Sequence, residues 1–273
     1  MPYHAFNLSG EEQKKFFWRS FHQERLRFTN SVARKVYVAF TAQLKTVAEE
    51  VAKASSQSDM ETLARQQVQR TEKAIVQMYE DIYSSVGLYF AETTFDSMRK
   101  SGPETKADRT MLNNWARRVI AFVNEKAKRR IKGLQRTTEE RVVKVIDQGI
   151  EDGLGIDAIA RNLRNDSGLI EIYKNRSVVV ARTEVISASN YGSQLGAKST
   201  GLELEKEWIS TRDGRTRGSE PDDEFDHLKA DGQTKKMDDQ YVIEGDALQF
   251  PGDPQGEPGN VINCRCTEAY KTT

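Results

Sequence analysis

The chain has 273 residues and a mass of 31.0 kDa, with 41 basic and 41 acidic side chains and a formal net charge of +0. That balance excludes a molecule that attracts nucleic acid or membrane by its overall charge, and no run approaches the ~18 apolar residues of a membrane span. Charged residues make up 30% and hydrophobic residues 37%, a balance that suits long solvated helices better than one thick core.

The opening MPYHAFNLSGEEQKK lacks the basic-then-apolar order of a signal peptide, so synthesis and retention in a reducing cytoplasm are expected. From Phe17 the apolar positions recur in steps of three and four: Phe17, Phe21, Phe28, Val32, Val36, Phe40, Leu44, Val47 and Val51, with Arg25 filling the one gap. This spacing predicts one long amphipathic helix, opened by a capping box of Ser9 and Glu12. A second box, Ser58 with Glu61, predicts another long helix striped by Val68, Ile75, Tyr79, Ile82, Val86 and Phe90. Gly102 and Pro103 break the pattern. A third helix carries Leu112, Trp115, Val119, Phe122, Ile131 and Leu134. Thr137 with Glu140 opens a fourth, through Val142, Ile146 and Ile150 to the stop at EDGLG.

These lengths exceed the ordinary ~11–12 residues and predict an elongated helical bundle or stalk over residues 1–150. Its stripes serve as bundle core. A sharper use is available at KKFFWRSF, where Phe16, Phe17, Trp18 and Phe21 exceed the needs of one helix face and suit a protein interface. Between Arg117 and Arg136 eight basic residues face only Glu125. Arg117, Arg118, Lys126, Lys128, Arg129, Arg130 and Lys132 can meet phosphate, an acidic protein or solvent.

After Gly153 the character changes. GIDAIARNLRND predicts a short helix, and YKNRSVVVARTEVISASNYGSQLGAKSTG a longer one whose small residues Ala188, Ser189, Gly192 and Ala197 permit close packing, ended by Gly201. LELEKEWIST alternates as a strand with a register shift near Lys206. Glycine- and proline-rich loops with short strands follow, and VINCRCTEAY closes a sheet. The fold class is therefore α+β: a long helical region, then a small α+β domain over residues 151–273 that is poor in core and needs a staple.

Both cysteines lie in that last segment. At i and i+2 of a strand Cys264 and Cys266 share a face about 7 Å apart, too far for an ordinary disulfide. With His227 they can chelate one zinc ion, Asp213 or Asp231 supplying a fourth ligand. The other reading makes both thiols small buried hydrophobes. Three enzyme readings compete: a Cys–His hydrolase, a nuclease using Asp213, Asp231 and Asp253, and an ADP-ribosyl transferase resting on Arg182 and Glu184. None has its signature. Arg182, Thr183 and Glu184 suit structural pairing across the fold, and Asp213 and Arg215 suit a tight turn with ion pairs.

The ordered set ARTEVISASNYGSQLGAKSTG, EWISTRDGRTR, HLKADGQ, QFPGDPQG and NCRC resembles the phage head morphogenesis proteins, the phage Mu F-like minor head proteins, over roughly residues 155–268. The family usually has His a few residues after the Asp-Gly-Arg turn; here GSEPDDEFD intervenes before His227. Relatives with a cysteine pair near that position suggest a metal-binding role. The resemblance implies a minor capsid component without enzymatic activity, made in the host cytoplasm and carried in the virion near the portal. Its expected partners are the portal protein and capsid or scaffold proteins, with ejection alongside phage DNA as an option. A DNA-binding or injected effector using Arg117–Arg136 is the alternative from a different class.

Overall fold

The computed structural model describes residues 7, 8, 10–99, 108–165 and 167–273. Among the described residues seven helices come first: α1 (Glu11–Val51), α2 (Gln57–Arg70), α3 (Glu72–Arg99), α4 (Arg109–Glu125), α5 (Lys128–Glu151), α6 (Ile156–Asn165) and α7 (Ser167–Lys198). There follow β1 (Leu204–Ile209), α8 (His227–Ala230), β2 (Thr234–Lys236), β3 (Tyr241–Ile243), β4 (Asp246–Leu248), α9 (Pro258–Val261) and β5 (Thr267–Thr272). The α+β class is as expected from the sequence.

The 41 residues of α1 span about 60 Å at 1.5 Å per residue. The period-3.6 stripe is what it buries: Phe17, Phe21, Arg25, Val32, Val36, Phe40, Leu44, Val47 and Val51 all face inward. Ser9, the expected cap, lies outside the described residues, as do Gly102 and Pro103 of the expected break. Other boundaries differ from expectation, and the helix expected from Ser58 through Phe90 is divided at Thr71 into α2 and α3. Ser56, not Ser58, caps α2 by accepting from the Asp59 N–H at 3.3 Å. Thr137 caps nothing: its hydroxyl donates to the Gly133 carbonyl inside the continuous α5. The true break falls at Lys126 and Ala127, where the apolar Ala127 is buried. At Thr137 the apolar stripe of α5 runs on from Ile131 and Leu134 to Val142 and overrides the local cap pattern, whereas Ser58 lies two residues inside the end that Ser56 already caps.

The helical region does not part from the rest at residue 150. Helix α7 packs along α3 and α1, and one continuous core joins Phe21, Phe40, Tyr79 and Phe90 to Tyr173, Ala181, Val185, Ile209 and Tyr270. Close approach of α3 and α7 depends on glycine. A Cβ on Gly192 would meet the Gly87 carbonyl oxygen at 2.1 Å, and one on Gly196 the Ala91 oxygen at 2.1 Å. The small residues read from the sequence are thus the α3 contact, and Gly201, at φ +72°, ends the run beyond α7.

Phe17 and Phe21 belong to this core rather than to an interface. Their rings meet edge-on at 5.5 Å, and Phe21 lies 4.7 Å from Phe90. Trp18 donates from Nε1 to the Arg265 carbonyl at 3.0 Å. Of the four aromatics only Phe16 is open, at 65% exposure.

The sheet has the order β2-β1-β5, antiparallel throughout, with Leu204 opposite Thr272 and Trp208 opposite Glu268. No register shift occurs at Lys206. Leu204, Lys206 and Trp208 all point inward, and Lys206 is satisfied there by the Gln249 carbonyl and by the Tyr241 ring at 4.8 Å. Strands β3 and β4 form a separate hairpin. A second, smaller core sits under it: Trp208, Phe225, Tyr241, Ile243, Leu248, Val261 and both cysteines.

Candidate metal centre

His227 opens the one-turn helix α8, capped by Asp226, whose side chain accepts from the Lys229 N–H. Its own N–H donates to the Arg217 carbonyl at 3.0 Å. The residues inserted before it are accommodated as a turn-rich loop in which Asp223 accepts from the Gly218 N–H at 2.7 Å. Cys264 and Cys266 lie after α9, in the non-regular segment before β5; they are not in a strand as expected, yet both sulfurs reach the imidazole. His227 Nδ1 is 3.7 Å from Cys264 Sγ and 3.5 Å from Cys266 Sγ. All three side chains are buried, at 2%, 1% and 2% exposure.

The imidazole's orientation follows from its neighbours. The Asp246 carboxylate can only accept, so the Asn260 amide turns Nδ2 toward it, at 2.8 Å. Asn260 Oδ1 is then left facing His227 Nε2 at 2.6 Å and must accept its proton. Nδ1 is therefore the nitrogen with a free lone pair, and it points at the two sulfurs. Trp208 closes the pocket edge-on, 5.4 Å from the imidazole.

The thiols are electrostatically unlike. A hydrogen bond from Cys266 and then the charge of His227 hold Cys264 well below the ordinary thiol range, whereas burial pushes Cys266 well above it. Burial opposes charge on His227 but is outweighed by the Cys264 charge, so its pKa is raised.

This donor set fits zinc. A tetrahedral ion with Zn–S near 2.3 Å and Zn–N near 2.05 Å places S and N about 3.6 Å apart, and the two observed separations bracket that value. Neither expected carboxylate joins. Asp213 is held by Arg265, with Nη1 at 2.7 Å from Oδ2, and this bond drives its pKa far below the carboxylate range. Asp231 accepts from the Ser210 N–H at 2.6 Å and pairs with Arg212. Among the described residues the group able to hold a metal is His227, Cys264 and Cys266.

The other singled-out residues buttress this loop. Thr183 donates to the Val179 carbonyl at 2.9 Å and accepts from the Asn263 N–H at 3.1 Å. Glu184, 1% exposed, accepts at both carboxylate oxygens from Arg130 Nη1 at 3.1 Å and from Tyr83 at 2.9 Å. Arg182 lies exposed. Arg215 approaches Asp213 at 4.0 Å, the outer limit of an ion pair, while Arg217 donates to the Ile262 carbonyl instead of a carboxylate. The residue hidden from sequence reading is Arg25. The one interruption of the apolar stripe of α1 is a buried guanidinium that donates to Ser189 Oγ at 2.7 Å, Asn190 Oδ1 at 2.6 Å and the Cys266 carbonyl at 3.2 Å.

Residues 140–269 match the family model described as phage Mu protein F like protein. This segment is similar to the phage Mu F-like family. The F-like segment begins within α5 and ends in β5, so it contains α7, all three metal-competent side chains and the Arg182–Glu184 triplet. Two curated proteins are similar. NAD(+)–arginine ADP-ribosyltransferase EFV of Enterococcus faecalis is 28% identical over 131 residues, 47% of this chain and 25% of that protein. The uncharacterized protein YqbB of Bacillus subtilis is 22% identical over 190 residues, 69% of this chain and 60% of that protein. The chain thus spans a quarter of one relative and three-fifths of the other. No solved structure matches. No helix among the described residues is long and apolar enough to cross a membrane.

Proposed function

We propose that the protein is a minor head protein of a phage, acting in head morphogenesis beside the portal, with an F-like segment stapled by one zinc ion on His227, Cys264 and Cys266. The observation that carries the proposal is the match of residues 140–269 to the F-like family. The role is architectural. Glu184, the acid an ADP-ribosyl transferase would need, is occupied by Arg130 and Tyr83. Asp213, Asp231 and Asp253 are each committed to separate backbone or arginine partners, which argues against a nuclease. A Cys–His hydrolase needs a sulfur that substrate can reach, and both sulfurs are buried.

Zinc would contribute folding energy to a loop-rich segment with a small second core, and would occupy the three converging donors without any reaction step. The portal protein and capsid or scaffold proteins are the proposed partners, and the virion, in the head interior or at the portal, is the proposed location. Packaging in the virion and ejection with the DNA belong to the same proposal. DNA binding through the basic stretch has less support, because Arg117 and Arg118 lie on α4, Lys128, Arg129 and Lys132 on α5, and Arg130 is turned inward to Glu184.

Co-expression with the portal protein encoded by the same phage tests the reading. The two should co-purify at physiological salt, and a head assembled without this chain should show a defect. Absence of any association with portal, capsid or scaffold components would overturn it.

A further inference from the structure

A cleft of about 610 Å³ opens between α5, α7 and the segment 254–262, within the size range of ligand pockets. Five cations line it against one carboxylate, Glu184, and Arg130 is already spent on that carboxylate. Four positive side chains remain. Lys132 is exposed and has no ion-pair partner among the described residues. Arg176 donates to Thr138 Oγ1 at 2.9 Å and the Leu134 carbonyl at 2.7 Å; its named hydrogen-bond partners are neutral, and no carboxylate lies in ion-pair range among the described residues. Arg129 and Arg136 reach Glu257 and Glu140 at 3.3 and 3.6 Å, with all four side chains more than half exposed. Exposed pairs of this kind add little to stability, so an incoming carboxylate can replace either acid at little cost.

The walls are apolar. Val179 and Val180 of α7 line the cleft together with Val261 and Ile262, and Ile262 is 40% exposed. A carboxylate-bearing chain with an apolar residue between its charges satisfies both features. A sugar–phosphate chain would leave the apolar wall uncovered. The lone aromatic lining residue, Tyr79, is fully buried and offers no platform for a base.

We infer that this cleft docks an acidic peptide segment of a partner protein, with carboxylates on Lys132, Arg136 and Arg176 and an apolar side chain against Val180 and Ile262. The inference stands apart from the portal reading, since it rests on the cleft alone. The probe is a fluorescein-labelled peptide alternating Glu and Leu, titrated with the full chain by anisotropy at about 50 mM salt, where charge contributes most. Saturable binding is expected, weakened about tenfold or more by Lys132→Glu with Arg136→Glu. Arg117→Glu on α4, outside the cleft, should bind as the parent does. A peptide with Gln in place of Glu should not bind. The substituted positions are exposed, and thermal melting confirms that each variant is folded; Lys132→Glu alone repeats the test should the double variant melt early. No peptide binding up to about 1 mM, equal binding by parent and charge-reversed chain, or stronger binding of a single-stranded oligonucleotide of equal charge through the same residues would overturn the inference.

Discussion

Asn260 sets the protonation of His227: its amide oxygen, 2.6 Å from Nε2, takes the imidazole proton on the side away from the cysteines. The Asp246 carboxylate, bonded to the other end of the amide, prevents the amide from turning over. A metal arriving between the sulfurs then meets a nitrogen lone pair without any rearrangement. Outer partners of this kind typically govern metal affinity by about 10–100-fold. Asn260→Ala should weaken zinc binding by that factor in a chelator competition while the helical signal in circular dichroism is kept. Unchanged affinity would show that the ring needs no such support.

Arg25 joins the long first helix to the cysteine segment. Arg25→Met keeps an apolar stem of similar length but removes the donors to Ser189, Asn190 and Cys266. Leaving buried acceptors without donors costs about 1–3 kcal/mol each, so a loss of about 3 kcal/mol or more is expected in denaturant melts. A loss under about 1 kcal/mol would mean that water or a rearranged neighbour takes over.

Two glycine substitutions should have opposite signs. Gly192→Ala drives a Cβ into the backbone of α3 and should destabilise by about 1–3 kcal/mol. Gly133→Ala, within α5 where a Cβ meets nothing within 4 Å, should stabilise by about 0.5–1 kcal/mol, because alanine loses less backbone entropy in a helix. The comparison isolates contact from propensity, and equal effects of the two would contradict the α3–α7 packing.

Burial raises Glu268 from 4.5 to about 7, with Lys206 offsetting part of the cost. An acid with a raised folded pKa binds more protons folded than unfolded between those values. Its contribution is present in full below pH 4.5 and is lost as pH rises through 7. A rise from 4.5 to about 7 corresponds to about 3 kcal/mol. The parent should therefore lose stability between pH 5 and 8 relative to Glu268→Gln. Parallel pH profiles for the two proteins would refute the assignment.

Much of the helical region is legible in the residues, because a stripe as regular as Phe17 to Val51 has one low-energy reading. The caps are not, since Thr137 has the right local chemistry inside the continuous α5 and Ser58 has it two residues past the Ser56 cap. The packing of α7 between α1 and α3 is a long-range fact, foreshadowed only by Gly192 and its small neighbours. The metal-competent trio was visible through residue type alone. Its fourth member was misjudged because nothing local reveals that Arg265 claims Asp213 or that Arg212 claims Asp231. Lys206, on the inner face of β1, read as a register error because an alternating pattern assumes that a charged side chain faces water.

Zinc content decides whether His227, Cys264 and Cys266 hold a metal. Protein purified without chelator should carry close to one equivalent of zinc by elemental analysis, lost in Cys264→Ser with Cys266→Ser, and its melting temperature should fall on treatment with EDTA. Less than about a tenth of an equivalent, with melting unchanged by EDTA, would contradict the staple and leave Cys264 and Cys266 as two small side chains of the second core.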